Sequence, residues 1–111
     1  MAKDLSVSVL LDFYGELLTE KQAEALDLYY NQDLSLAEIA AEMEVSRQGV
    51  RAFIKQGEAH LLQFEEKLGM AKRFAGISNI AAKMQEILDK MPKSNEVSML
   101  TEKIEEIKSR L

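Results

Sequence analysis

Arg47, Gln48, Arg51 and Lys55 are the side chains of this 111-residue chain best suited to recognising another molecule. Arg47, Arg51 and Lys55 recur every fourth residue, so on a helix they form a stripe along one face. Arginine pairs bidentately with a guanine edge and glutamine with an adenine edge, so this set suits a helix lying in the major groove of a duplex. Ser46, just before the stripe, is of the type that caps a helix start. That cap places Arg47, Gln48 and Arg51 in the first turns, where a recognition helix reads bases. Surface helices in general also carry a few Arg and Lys, so the stripe gains meaning only from the elements that position it.

Those elements are written in Leu34 to Ile54, LSLAEIAAEMEVSRQGVRAFI. Ser35 with Glu38 three residues later is a capping-box signature. Leu36, Ile39, Ala40 and Met43 follow on one helical face. Val45 is an apolar plug, and the helix after Ser46 buries Val50, Phe53 and Ile54. Ala40 supplies the small side chain that two crossing helices need. The pattern is a helix-turn-helix. The residue before Val45 must take a positive φ, a position that favours glycine, and here it is Glu44. A non-glycine residue there costs about 1 kcal/mol, which the turn tolerates.

Residues 5–18 place Leu5, Val9, Leu10, Phe13, Tyr14, Leu17 and Leu18 at helical spacing. This predicts an N-terminal helix, bent near Gly15, packed across the helix-turn-helix as a lid. Thr19 with Gln22 repeats the capping box and starts a helix to about Tyr30, with Ala23, Leu26, Tyr29 and Tyr30 inward. Of the two adjacent tyrosines, one is expected in the core and one at its rim, rather than both as base-stacking platforms. Asn31 to Asp33 form a polar turn. The helix from Ser46 continues through Leu61, Leu62 and Phe64 to about Leu68. Gly57 inside it marks a close crossing or a slight bend, and Gly69 is its C-cap.

Beyond Gly69 the pattern changes. Ile77, Ile80, Ala81, Met84, Ile87, Leu88 and Met91 mark an amphipathic helix ended by Pro92, and Ser94 or Asn95 caps the next. Val97, Leu100, Ile104, Ile107 and Leu111 then follow in steps of three and four, a short heptad seam. The expected arrangement is a helical hairpin whose apolar seam docks on the first domain or on another chain, a homodimer being the preferred reading. The fold class is therefore all-α, with residues 1–69 as the helix-turn-helix domain and 70–111 as a C-terminal two-helix hairpin tail.

Charge divides along the same boundary. The net charge is −5. Residues 1–69 hold six Lys/Arg against thirteen Asp/Glu, net −7, and residues 70–111 hold eight against six, net +2. Affinity for DNA depends on phosphate neutralisation, so a lone module in the acidic half should bind weakly. With no cysteine there are no disulfides or thiolate metal sites, which fits a reducing compartment. No run is long enough to span a membrane and the N-terminus lacks a signal-peptide pattern, so the expected location is cytoplasmic, without membrane insertion. His60 is the single histidine, the acid pairs Glu65–Glu66 and Glu105–Glu106 are adjacent on helices and face apart, and the five glycines are scattered. Neither an enzyme nor a cofactor or metal site is expected.

The stretch 18–61, LTEKQAEALDLYYNQDLSLAEIAAEMEVSRQGVRAFIKQGEAHL, resembles region 4 of bacterial sigma-70-type factors, which reads the promoter −35 element. Nothing resembles the sigma region that melts promoter DNA. Over nearly its whole length the chain more closely resembles the YlxM-type family of small bacterial helix-turn-helix proteins. LLDFYGELLTEKQ at 10–22, LSLAEIAAEMEVSRQGVR at 34–51 and the helical tail after FEEKLGM carry that match. The resemblance implies a sigma-region-4-like fold, with Ser46, Arg47, Gln48 and Arg51 as DNA-reading positions. Genes of this family typically sit beside those of the signal recognition particle GTPases, so it also implies a regulatory link to that pathway. Two function classes stand open on these grounds. One is a DNA-binding transcriptional regulator, with RNA polymerase as a candidate partner. The other is a non-enzymatic module that binds a protein component of the signal recognition particle pathway.

Overall fold

Hydroxyl side chains set where four of the helices begin. In the computed structural model, which describes residues 6–111, six α-helices and no strand form among the described residues. The first, α1 (Ser6–Tyr14), runs into a single 3-10 turn at Gly15–Leu17. Thr19 starts α2 (Glu20–Leu26): its hydroxyl accepts from the Gln22 N–H at 3.2 Å, and the Gln22 side-chain oxygen accepts from the Thr19 N–H at 3.4 Å. Ser35 and Glu38 make the same reciprocal pair, at 3.1 and 3.0 Å, ahead of α3 (Leu36–Met43). Ser46 caps α4 (Arg47–Leu68), and Ser94 caps α6 (Asn95–Ser109) through the Val97 N–H. Each cap satisfies a helix-end donor that the helix itself leaves open. The chain divides into two compact units, one ending at Ala71 and one running from Lys72 to Leu111, with α5 (Met70–Asp89) beginning at the junction.

In the first unit α4 is the axis on which α1, α2 and α3 pack. Tyr14, Leu26, Ile39, Val50, Ile54 and Leu61 are its largest fully buried side chains. Gly57 marks a close crossing, not a bend: a Cβ at this position would sit 2.6 Å from Leu26 Cδ1 and 3.3 Å from Leu26 Cγ. Only a residue without a side chain lets α2 approach α4 so closely. The expected lid helix exists and lies against α4, with Val7, Leu10, Leu11 and Tyr14 inward. Val9 and Leu17, assigned to its inner face from spacing, are instead exposed, and Leu5 lies outside the described residues. The 3-10 turn explains Leu17, because it tightens the winding and rotates that side chain off the helical face.

After Leu26 the winding loosens to a π-type turn over Asp27–Asn31, where the Gln32 N–H reaches the Asp27 carbonyl at 3.1 Å. Asn31 and Gln32 donate from their side chains to the Asp27 carboxylate at 2.8 and 3.0 Å. Tyr29 turns into the core and Tyr30 stands at its rim, donating to Glu58 at 2.5 Å, with the two rings edge-on at 5.1 Å. The tyrosine pair thus fastens the turn to α4.

Glu44 has φ 58° and ψ 44°, a left-handed conformation. Replacing it with glycine removes the Cβ strain and should raise unfolding stability by about 0.5–1 kcal/mol, less the extra entropy of the unfolded chain. Urea denaturation of Glu44→Gly measures this, and a loss of stability would contradict it.

At the end of α4, Gly69 takes φ 61° and its N–H bonds the Glu65 carbonyl at 2.8 Å. Tyr14 ties this junction to α1. Its hydroxyl donates to Glu65 Oε1 at 2.6 Å and accepts from the Met70 N–H at 3.0 Å, while the Ala71 N–H donates to the same carboxylate oxygen at 3.1 Å. Burial, then the bond to the Glu65 carboxylate, pushes the Tyr14 phenol up from its ordinary value.

In the second unit α5 begins at Met70, a full turn and more before the apolar spacing first shows it at Ile77, and ends at Asp89, ahead of Pro92. Ala81, Leu88 and Ile104 form the buried core of the hairpin, with Val97 packed against them. Most of the apolar seam expected to be covered is open. Ile80 and Ile87 are each 62% exposed, and Met84, Met91, Leu100 and Ile107 are exposed as well. Two helices offer each other one narrow stripe of contact, and the apolar sectors here are wider than that.

Candidate nucleic-acid interface

The sequence from Ala40 to Lys55 builds one reversal and one presented helix. Glu44 turns the chain, and the Val45 N–H closes the turn on the Ala40 carbonyl at 3.1 Å. Ser46, extended at φ −73° and ψ 159°, accepts from the Gly49 N–H at 3.0 Å and fixes where α4 starts. Leu36, Ala40, Met43 and Val45 pack against the core that holds Ile39, Val50 and Ile54, which locks α3 on α4. Both helix-turn-helix elements are therefore held by buried apolar contacts, while the polar residues of α4 that bond to the rest of the fold, Gln56, Glu58 and Glu65, all lie beyond Lys55.

That face carries all the residues marked from the sequence. Ser46, Arg47, Gln48, Arg51 and Lys55 are exposed, while the buried stripe of α4 runs through Val50, Ile54, Gly57 and Leu61. From Arg47 to Lys55 the helix rises about 12 Å, comparable to the width of a B-DNA major groove. The ion pairs found among the described residues, Lys103–Glu106 and Lys108–Glu105, lie in α6 and use none of these cations. Ala52, exposed one turn beyond Gln48, was passed over in the sequence because it carries no polar group. Its small side chain keeps the face shallow, and a methyl there suits contact with a thymine methyl. Its four-residue spacing from Gln48 was the available signal.

The electrostatic surroundings are acidic. Glu42 and Glu44 are exposed on and after α3, beside the presented helix. Glu38 is turned back on the cap of α3, and the Ser35 N–H and hydroxyl hold its carboxyl below the usual carboxylate value. A depressed folded value means a stabilisation present above the unfolded carboxylate's pKa and lost as pH falls through the folded one. Glu38→Gln keeps an acceptor for the cap but cannot titrate. The stability difference between the two proteins, measured by denaturation, should therefore shrink between pH 6 and pH 3, and a difference that widens on acidification would contradict the assignment.

His60 is exposed, its ring 6.4 Å from that of Phe64. Among the described residues no three His, Asp or Glu side chains converge on a point that could hold a metal ion, and no helix is long and apolar enough to cross a membrane.

Residues 1–107 match the family described as "Putative helix-turn-helix protein, YlxM / p13 like". This chain belongs to the YlxM/p13-like family. The match takes in the capped turn, the whole of α4 and α5, and most of α6. A UPF0122 protein of Halalkalibacterium halodurans is 45% identical over 103 residues, spanning 93% of this chain and 94% of that protein. The UPF0122 protein YlxM of Bacillus subtilis is 41% identical over 107 residues, 96% of this chain and 97% of its own. A relative from Acetivibrio thermocellus reaches 52% over 81 residues, 73% of this chain and 69% of its length. Similarity to YlxM/p13-like proteins thus extends over the helix-turn-helix and the tail alike.

Proposed function

We propose that this YlxM/p13-like protein is a sequence-specific duplex-DNA-binding regulator that acts without catalysis, in the cytoplasm. The observation that carries the reading is the free face of α4, where Arg47, Gln48, Arg51 and Lys55 stand exposed at the start of the second helix of a helix-turn-helix. Arg47, Gln48 and Arg51 reach base edges; Lys55 and the N–H groups at the helix N-terminus hold phosphates. Acidic Glu42 and Glu44 next to this face weaken non-specific attraction, so binding rests on base contacts more than on charge. The family resemblance implies a regulatory link to the signal recognition particle pathway, with RNA polymerase as a candidate partner.

The acidic first domain favours a second reading, in which the same fold docks on a protein component of that pathway. Repeated selection from a randomised duplex pool at low salt separates the two. Enrichment of one motif is the expected result. A pool that stays random would contradict the DNA reading and leave the protein partner.

A further inference from the structure

We infer that the open face of the α5–α6 hairpin is covered by the same face of a second copy of this chain, making a four-helix bundle. On α5 the apolar residues of the seam occupy three positions of each heptad: Ile77 and Met84 in one, Ile80 and Ile87 in another, Ala81 and Leu88 in the third, with Met91 following just past the helix end. Three apolar positions per heptad is the sector of a helix with neighbours on two sides, as inside a bundle. The hairpin buries only the Ala81–Leu88 position against Ile104 and Val97 of α6. The other two positions are exposed, Ile77 and Met84 in part and Ile80 and Ile87 at 62% each.

Both helices open their unused flanks to the same side. A groove of about 170 Å³ has Leu88 and Ile104 as its floor, Met84 and Ile87 as one wall and Leu100 as the other. Ile107 and Leu111 continue that side of α6 at heptad spacing. The exposed apolar side chains on this side amount to roughly 600–700 Å², close to the ~800 Å² that each partner contributes to a stable interface of ordinary size. A patch of this size is large for a monomer's surface.

The occupant is a second copy because the face is self-complementary. It is a flat pair of heptad-spaced ridges, which a two-fold axis brings onto an identical pair at the shallow crossing angle of bundles. Residues 70–111 hold eight Lys/Arg and six Asp/Glu, so two hairpins meet without the like-charge repulsion that the −7 first domain would impose. The inference stands apart from the DNA reading, since none of these residues belongs to that site.

Sedimentation equilibrium of the full-length protein, without nucleic acid and from about 1 to 100 µM, tests it. The expected mass is twice the 12.5 kDa of one chain. Ile80→Asp/Ile87→Asp places four charges in the buried seam of the dimer and should give a monomer of unchanged helicity by circular dichroism. Asn79→Asp/Ala82→Asp, exposed on the opposite side of α5, should leave the dimer in place. A monomeric wild type at 100 µM, or a dimer that survives Ile80→Asp/Ile87→Asp, overturns the proposal. So does a dimer that dissociates equally in Asn79→Asp/Ala82→Asp.

Discussion

Gly57→Leu should collapse the first unit. A Cβ alone meets Leu26 Cδ1 at 2.6 Å, inside any real carbon–carbon contact, and Leu26 is fully buried, so its side chain must shift within the core. Alanine at this position recovers about 1 kcal/mol of helix propensity but forces Leu26 out of place at about 1–3 kcal/mol, so it should be mildly destabilising. Leucine adds three more carbons to the same crossing, and α2 must then lift from α4. The expected loss exceeds ~3 kcal/mol, a large part of the 5–15 kcal/mol that holds a domain of this size together. Guanidinium denaturation followed by circular dichroism reads both variants. Full wild-type stability in Gly57→Leu would mean that α2 and α4 do not cross here.

Arg47→Ala/Arg51→Ala should leave stability untouched and remove specific DNA recognition. Both side chains are exposed, outside the buried stripe of α4, and in none of the ion pairs found. Loss of a bidentate base contact costs about 1–3 kcal/mol, so two together should lower affinity for a selected site by about a hundredfold or more. Lys55→Ala acts differently. A phosphate contact carries no sequence information, so its loss should weaken all duplexes alike and flatten the salt dependence by about one unit of slope. Anisotropy titrations against selected and random duplexes distinguish the two kinds of contact. Equal weakening on both duplexes by the arginine variant would assign those arginines to phosphates.

What the sequence made legible is local. Thr19–Gln22 and Ser35–Glu38 carry their own geometry in a four-residue window, and both appear as reciprocal caps. Glu44 was readable because a turn between two capped helices demands one left-handed residue, whatever its type. Gly57 announced a crossing or a bend, and only its distance to Leu26 decides between them. What was not legible depends on residues far apart in the chain. The bond from Tyr14 to Glu65 joins positions 51 residues apart, and with Met70 and Ala71 it lets α5 begin directly after Gly69, before any apolar periodicity. The π-type turn at Asp27–Asn31 is braced locally by Asn31 and Gln32 on Asp27 and at a distance by Tyr30 on Glu58, and apolar spacing alone does not mark it. In the hairpin, periodicity marked which residues are apolar but not which of them a two-helix contact reaches. On α4 the sequence marks the exposure of Arg47, Gln48, Arg51 and Lys55 through their spacing against Val50 and Ile54, and the structure leaves all four exposed; their proposed role in reading DNA rests on their chemistry.

Anisotropy of a labelled duplex carrying the selected motif, titrated with pure protein from about 20 mM to 150 mM salt, is the most direct test. Binding should be present at low salt, weaken moderately as salt rises, and be abolished by Arg47→Ala/Arg51→Ala. No binding at the lowest salt, or binding that the double variant leaves unchanged, would contradict the assignment of this face of α4 to DNA.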